Sequence, residues 1–112
     1  MTYETNIPKA DYSEEFDTLR KNRVAVSRLK YGSAAINFGQ GLVDAIGSAE
    51  RCIEKYKQTR NTEYLVDAAN YCMFGFMYPS EGAFFKATSS GESAGIVGMS
   101  IKEMEDMKNE SY

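Results

Sequence analysis

Apolar residues recur at three- and four-residue spacing along most of this 112-residue chain, a pattern typical of helices rather than strands. The first helix is expected over about 12–30, with an apolar stripe formed by Phe16, Leu19, Val26 and Leu29. Asp11 and Glu14 have the spacing of a capping box at its start. Gly32 follows the last periodic residue and is expected to end the helix.

A second helix is expected over about 42–57. Its apolar residues recur on one face and are Leu42, Ile46, Ala49, Ile53 and Tyr56. Gly39 and Gly41 disfavour a helix immediately before it, because glycine loses more backbone freedom there than any other residue. The stretch 33–41 is therefore expected to be a turn or a loose helical start.

The third helix, expected over about 62–78, is apolar on almost every face. Thr62 is its expected N-cap, and Pro79 prevents its extension. A helix of this kind needs cover on all sides, which two other helices and a short tail scarcely provide in so small a chain. We therefore expect the chain to form a homo-oligomer, either a dimer or a larger assembly.

Residues 80–98 and 1–10 show no helical periodicity. The first stretch is long for a connection within a compact domain and is expected to be a binding loop or lid, while the second is expected to be an extended arm. Ser100 and Glu103 form a capping box at the start of a short last helix. The pattern as a whole predicts a single all-α domain over 1–112, a bundle of three or four helices with a long loop before the C-terminal one.

The composition, with 43% hydrophobic and 26% charged residues, is that of a globular domain. No apolar run is long enough to cross a bilayer, and the polar N-terminus lacks the features of a signal peptide. We therefore expect a soluble cytoplasmic protein with no membrane partner. Cys52 and Cys72 fall within helical patterns and are expected to be reduced thiols in the core.

Charge is unevenly distributed around a net value of −3. Residues 18–60 contain nine basic and three acidic side chains, and the flanks contain the remaining four basic and 13 acidic ones. A basic middle favours a small anionic ligand, and acidic flanks disfavour long nucleic acids. Pairing of the flanks with the middle is the alternative. Histidine is absent, which removes the usual general base and the usual zinc ligand.

Glu63, Asp67 and Asn70 form a polar stripe at helical spacing on the otherwise apolar third helix. A buried carboxylate needs a cation, a metal ion or hydrogen-bond donors. The stripe therefore indicates a magnesium or nucleotide site. The alternatives are an internal salt bridge to Arg51 or Lys55, or exposure of Glu63 at the helix start.

Two further groups could contact a nucleotide. Arg28 and Lys30, at the end of the first helix, suit phosphate groups, although cations there also stabilise the helix dipole. Phe84, Phe85 and Lys86 suit a lid that stacks on a base and touches a phosphate. Anchoring of at least one ring to the core is the alternative.

The sequence carries a partial resemblance to a known family over about 29–78. The segment Leu29-Lys30-Tyr31-Gly32, then Asn37 and Arg51, and finally the run NTEYLVDAANY from Asn61 to Tyr71 carry it. This pattern resembles the phage nucleotide-modification-associated domain, part of the MazG-like all-helical nucleoside triphosphate pyrophosphohydrolase group. The resemblance implies a helical oligomer that binds nucleotides through acidic residues and magnesium. Asp67 and Asn70 match its last motif, and Glu63 lies one turn before it.

This sequence departs from the catalytic pattern of that group. MazG-like enzymes pair ExxE with ExxD on facing helices, whereas Glu50 and Glu54, like Glu63 and Asp67, are four residues apart here. The sequence therefore favours binding without hydrolysis, with no cofactor and no catalytic residue. By analogy with phage proteins that absorb cyclic nucleotide signals of host defence, we expect a phage or prophage protein in the host cytoplasm that sequesters a nucleotide.

In this hypothesis the seven expected ligand-binding residues divide by role. Arg28, Lys30 and Lys86 would bind the phosphates, and Phe84 or Phe85 would stack on the base. Asp67 and Asn70 of the third helix would hydrogen-bond to polar edges of the ligand. One alternative is a magnesium-dependent pyrophosphohydrolase with Glu50, Glu54, Glu63 and Asp67 as metal ligands. The other is an inhibitor that binds a host defence complex through its Met- and aromatic-rich surface or through its acidic flanks.

Overall fold

The computed structural model describes residues 6–110, and throughout that range the regular structure is helical. It comprises α1 (Glu14–Tyr31), α2 (Ala34–Asn37), α3 (Ala45–Thr59), α4 (Glu63–Met77) and α5 (Ile101–Glu110). The all-α class is confirmed, and the helix beyond the expected four is the four-residue α2, in the stretch expected to be a turn or a loose helical start. None of the helices within 6–110 has the length and apolar character needed to cross a membrane.

The chain divides into two compact units, Met1–Glu81 and Gly82–Tyr112. The first unit contains α1 to α4. In the described part of the second unit, the long loop is followed by α5 and is interrupted by a 3-10 turn at Ser90–Glu92. The single domain over 1–112 stays a prediction.

The start of α1 differs from the predicted cap. Ser13, not Asp11, is the N-cap, and its Oγ accepts a hydrogen bond from the Phe16 N–H at 3.0 Å. The Asp11 N–H instead donates to the Pro8 carbonyl at 2.9 Å and closes a turn. Residues 1–5 of the expected arm lie outside the described residues. The predicted end of α1 is confirmed, since Gly32 has a φ of 86° and its N–H donates to the Arg28 carbonyl at 3.0 Å.

The caps of α3 and α4 were also only partly predicted. Helix α3 begins at Ala45, three residues later than expected. Asp44 is its N-cap, because its Oδ1 accepts from the Gly47 N–H at 3.0 Å. Thr62 makes no capping bond through its side chain. Asn61 satisfies that helix end instead, with its Oδ1 accepting from the Glu63 N–H at 3.0 Å.

One half of the predicted capping box of α5 is confirmed, because the Oγ of Ser100 accepts from the Glu103 N–H at 3.0 Å. The Glu103 carboxylate accepts from the Ser100 hydroxyl at 3.0 Å, whereas a capping box has it accept from the backbone N–H.

Helix α4 is the central element of the first unit and packs against α3 on one side and α1 on another. The buried apolar side chains of the described residues are Ala49, Val66, Ala68 and Phe74. The ring of Phe38, just after α2, stacks on Phe74 with centroids 4.5 Å apart. The segment after α2 is therefore held against the face of α4 that also carries Asn70, which lies one turn before Phe74.

Of the predicted apolar stripe of α1, only Phe16 lies on the half-buried face. Leu19 is 45% exposed and Leu29 is 89% exposed. The half-buried side chains of α1 share helical spacing and are Phe16, Asp17, Arg20, Arg23 and Val24. Arginine can occupy such a face because its methylene stem packs while its guanidinium reaches a polar partner.

The two thiols differ in exposure. Cys52 on α3 is half-buried, whereas Cys72 on α4 is exposed and unbonded, so the prediction of a core thiol is wrong for Cys72. Phe76, one turn further along α4, is 72% exposed. Apolar surface on α4 is thus left uncovered by the part of the chain that the structure describes. Self-association stays a prediction.

Candidate functional site

A cavity of about 590 Å³ lies between α1, α4 and the segment that follows α2. This volume is within the range of small-molecule sites in proteins. Lys30, Asp67 and Asn70, three of the seven predicted ligand-binding residues, line it. The structure therefore brings residues from two separate sequence signals to one place.

An ion-pair cluster holds α1 against α4 at one end of this cavity. The Arg23 guanidinium donates from Nε to Asp67 Oδ1 at 3.1 Å and from Nη2 to Asp67 Oδ2 at 3.3 Å. Its Nη2 also lies 3.2 Å from Glu63 Oε1. The hydrogen bond to Asp67 raises the pKa of Arg23, an effect that desolvation opposes and the two carboxylates reinforce.

This cluster provides the partner of the carboxylates in the predicted polar stripe. An internal salt bridge exists, as one alternative held, but its cation is Arg23 on α1 rather than Arg51 or Lys55 on α3. Glu63, with 54% of its side chain exposed, is the outer member, and Asp67, with 22% exposed, is the inner one. The sequence signal missed was the spacing of Arg23 with Phe16, which puts both on one face of α1.

Asn70 is the most deeply placed polar side chain of the site, with only 6% of the residue exposed. Its Nδ2 donates to the backbone carbonyl of Arg20 at 3.0 Å. Its Oδ1 is buried and has no hydrogen-bond partner among residues 6–110. A buried acceptor left without a partner costs about 1–3 kcal/mol, and such groups are rare enough to need an explanation.

The two predicted phosphate-binding cations lie in the last turn of α1, and both are exposed. Neither Arg28 nor Lys30 forms an ion pair with another described residue. Lys30 lines the large cavity, whereas Arg28 lines an adjoining one of about 80 Å³. Both are placed to meet an anion, and the same position lets them stabilise the helix dipole.

Aromatic rings form the apolar wall of the cavity. Phe38 meets Tyr71 edge-on, with ring centroids 6.1 Å apart. Burial raises the pKa of the Tyr71 hydroxyl, and nearby Cys52 and Asp67 add to the effect. The Asn37 amide donates to the Tyr31 carbonyl at 3.0 Å, which fixes this segment to the end of α1. Phe38 and Tyr71 were not predicted to line a site, although Tyr71 directly follows the Asp67–Asn70 motif.

The predicted lid residues belong to the second unit. Phe84 is 86% exposed and Phe85 is 85% exposed, so the alternative that one ring anchors the loop to a core is wrong. Lys86 Nζ lies 3.5 Å from Glu92 Oε1, across the 3-10 turn. Base stacking by these rings stays a prediction.

The carboxylates of the enzyme alternative do not assemble. Among residues 6–110, no three Asp, Glu or Cys side chains come close enough together to hold a metal ion. Glu50 and Glu54 are exposed on α3, whereas Glu63 and Asp67 face α1 through Arg23. The chain by itself therefore does not form the four-carboxylate magnesium site.

A second cavity, of about 530 Å³, lies at the other end of α4. Its wall includes Asp44, Ile46, Met77 and Tyr78 but no lysine or arginine. An anionic ligand would gain no ion pair there and would meet the carboxylate of Asp44. The cavity lined by Lys30 is the better candidate for a phosphate-bearing ligand.

Comparisons of the chain with protein-family models, with curated proteins and with solved structures find no match.

Proposed function

We propose that this chain binds a nucleotide in the cavity between α1 and α4 and sequesters it without turnover, as a phage or prophage protein that removes a nucleotide signal of host defence. The observation that carries the proposal is the convergence of three kinds of group on one cavity. A cation without an ion pair among the described residues (Lys30), polar groups (Asp67 and Asn70) and aromatic rings (Phe38 and Tyr71) all line it.

Each kind of group matches one part of a nucleotide. Ammonium and guanidinium groups bind phosphate oxygens, and Arg28 beside the cavity adds a second cation to Lys30. Aromatic surface accommodates a base, with stacking contributing about 1–3 kcal/mol per base. The polar side chains of α4 supply directional hydrogen bonds at the opposite wall. A purely apolar ligand would leave the cations unused.

Three observations favour sequestration over hydrolysis. Histidine is absent from the chain, and no trio of metal-binding side chains forms within the described residues. Asp67 is already held by two N–H groups of Arg23, which suits a fixed hydrogen-bond acceptor better than a general base.

Calorimetric titration against a panel of linear and cyclic nucleotides tests the proposal. We expect at least one nucleotide to bind and to be recovered intact after prolonged incubation with magnesium. Lys30→Gln should weaken that binding about tenfold, the effect of losing one charge-assisted hydrogen bond. Lys21→Gln is the matched control, because Lys21 is exposed on the same helix and does not line the cavity.

Three outcomes would contradict the proposal. The absence of a binding signal for every nucleotide of the panel would reject nucleotide binding and leave the protein-binding inhibitor as the remaining hypothesis. Release of pyrophosphate from a triphosphate would reject sequestration. Equal weakening by Lys30→Gln and Lys21→Gln would show that the ligand binds elsewhere.

A further inference from the structure

Among the described residues, four aromatic side chains line the proposed nucleotide site, and three of them pack on one another. Phe38 stacks on Phe74 with ring centroids 4.5 Å apart, and it meets Tyr71 edge-on at 6.1 Å. Tyr31 is the fourth. Its ring has no aromatic partner among residues 6–110, and 72% of the residue is exposed. Of the four rings, Tyr31 therefore offers the most uncovered surface to a ligand.

The backbone of Tyr31 is held at the edge of the cavity. Tyr31 is the last residue of α1, and its carbonyl accepts a hydrogen bond from the Asn37 amide at 3.0 Å. Gly32, which follows it, has a φ of 86°, and its N–H donates to the Arg28 carbonyl. None of these bonds uses the side chain of Tyr31. The ring is thus presented from a fixed position and can be replaced without loss of the bonds that fix it.

The side chain of Tyr31 leans back along α1 towards the cavity. Long side chains on a helix point towards its N-terminus, and from the last turn of α1 that direction leads towards Arg23. Burial is the main cause of the raised pKa of Tyr71, to which Tyr31 also contributes. The hydrogen bond to Asp67 is the main cause of the raised pKa of Arg23, and Tyr31 contributes there too. Because such an effect weakens with distance, it agrees with a ring that lies on the cavity side of α1.

A cation directly precedes this ring in the chain. Lys30 lines the same cavity and has no ion pair among the described residues. An ammonium group suits a phosphate, and an exposed aromatic face suits a base. The two neighbouring side chains therefore match the two ends of a nucleotide, which a sugar joins.

We propose that Tyr31 stacks on the base of the bound nucleotide while Lys30 binds its phosphate, an inference that rests on the proposed nucleotide-binding function. Stacking acts through the faces of the rings and tolerates any base, because every base has such a face. Tyr31 thus recognises the base as an aromatic plane rather than by its hydrogen-bonding edge. The site then distinguishes nucleotides from sugar phosphates that lack a base.

The test uses the 5′-monophosphates of adenosine, guanosine, cytidine and uridine, together with ribose 5-phosphate, which has the same phosphate and sugar without a base. Calorimetry gives the affinities of the wild-type chain and of two variants. Tyr31→Ala should weaken the binding of each nucleotide at least about fivefold and should leave the affinity for ribose 5-phosphate unchanged. Tyr31→Phe keeps the ring and should bind the nucleotides within about twofold of the wild-type chain. Any nucleotide of the wider panel that binds more tightly is measured on the same three chains.

Fluorescence gives a direct measure of stacking, because the chain contains no tryptophan. Tyr31→Trp introduces a single indole at the site, and a base stacked on it should quench its emission until the site is saturated. Ribose 5-phosphate should not quench it. Phe76→Trp is the matched control, since Phe76 is also 72% exposed but does not line the cavity. Its emission should show no saturable quenching.

The outcomes separate the inference from the proposed function. Nucleotide affinity that Tyr31→Ala lowers and Tyr31→Phe retains, with saturable quenching of Tyr31→Trp, supports the inference. Unchanged nucleotide affinity in Tyr31→Ala, or equal weakening towards nucleotides and ribose 5-phosphate, overturns the inference, and an effect of Lys30→Gln would leave nucleotide binding intact. Equal quenching of Tyr31→Trp and Phe76→Trp also overturns it, and this pair decides if Tyr31→Ala fails to fold. No binding by any nucleotide of this set or of the wider panel overturns the proposed function and the inference together.

Discussion

Arg23 on α1 binds Asp67 on α4 through two N–H groups, Nε to Oδ1 at 3.1 Å and Nη2 to Oδ2 at 3.3 Å. The same guanidinium contacts Glu63 one turn earlier on α4. One side chain therefore joins two helices and also shapes the wall of the candidate nucleotide site.

Replacing Arg23 should lower the free energy of unfolding. We expect a loss of about 1–2 kcal/mol for Arg23→Gln, between the values for exposed and for buried pairs, because 42% of the Arg23 side chain is exposed. Arg23→Lys should recover only part of this, since lysine lacks the two-pronged geometry. Urea denaturation measures both, with Lys21→Gln as the control on the same helix. A loss no larger than that of the control would show that the bridge does not stabilise the fold.

The two acids that share Arg23 should differ in their effect on stability. Glu63→Gln is expected to cost about 0.5 kcal/mol or less, because an ion pair this exposed is weak. Asp67→Asn should cost more, about 1–2 kcal/mol, because it loses two charge-assisted contacts and its side chain is only 22% exposed. Urea denaturation of the two variants in parallel gives the ranking, and the reverse order would contradict the observed geometry.

Stability should fall in alkaline solution. Burial raises the pKa of Cys52 above 9.0, and it also raises the pKa of Tyr71 above 10.0. Both groups are neutral when protonated, and a raised pKa means that the folded chain holds the proton more tightly than the unfolded chain. The resulting stability is fully present below the pKa of the unfolded chain and is lost as the pH rises through the pKa of the folded chain. Urea denaturation under reducing conditions between pH 7 and pH 10.5 checks this. Cys52→Ala should flatten the first part of the decline, and an unchanged slope would contradict the assignment.

The two thiols should differ in reactivity towards a maleimide at neutral pH. Cys72 is exposed on α4 and should react first. Cys52 should react more slowly, because burial raises its pKa and the thiolate is the reactive form. Labelling of Cys72→Ser and Cys52→Ser followed by mass spectrometry gives each rate separately. Faster labelling through Cys52 would show that α3 opens locally.

Two glycine-to-alanine substitutions should act in opposite directions. A Cβ on Gly39 would overlap the backbone carbonyl oxygen of Ala35, which cannot move without distorting α2. A Cβ on Gly75 would meet only the far end of the Ile46 side chain, at 2.9 Å, and that side chain is 54% exposed and can turn away. We expect Gly39→Ala to cost about 1–3 kcal/mol, whereas Gly75→Ala should gain up to about 1 kcal/mol from helix propensity. Melting temperatures of the two variants check the signs.

Local periodicity was enough to predict the four longer helices, because each carries its own apolar spacing. It failed for the inner face of α1, where Arg20 and Arg23 lie against α4 and Leu19 and Leu29 lie outside. The sequence alone ranks leucine above arginine for burial, and only the partner carboxylate on α4 reverses that order. The prediction of Thr62 as a side-chain cap also failed. The backbone of Thr62 is itself helical, and the side chain of Asn61 accepts from the Glu63 N–H instead.

The candidate site was predictable in part. Asp67 and Asn70 could be identified because they are polar groups on an otherwise apolar helix, and Lys30 because it is one of two cations at the end of α1. Phe38 and Tyr71 could not, because an aromatic residue near an apolar helix is ordinary in sequence and becomes part of a site only when the fold leaves a cavity beside it. The partnership of Arg23 with Asp67, 44 residues apart, depends on the placement of α1 against α4.

The cavity between α1 and α4 also has a consequence for the lifetime of the protein in a cell. A ligand that binds there to the folded chain and not to the unfolded one would make the occupied chain more stable by mass action. Empty molecules would unfold more often and meet proteases more often than occupied ones. Cellular abundance would then rise with the supply of the molecule that fills the cavity, so that degradation adjusts the amount of protein to its cargo.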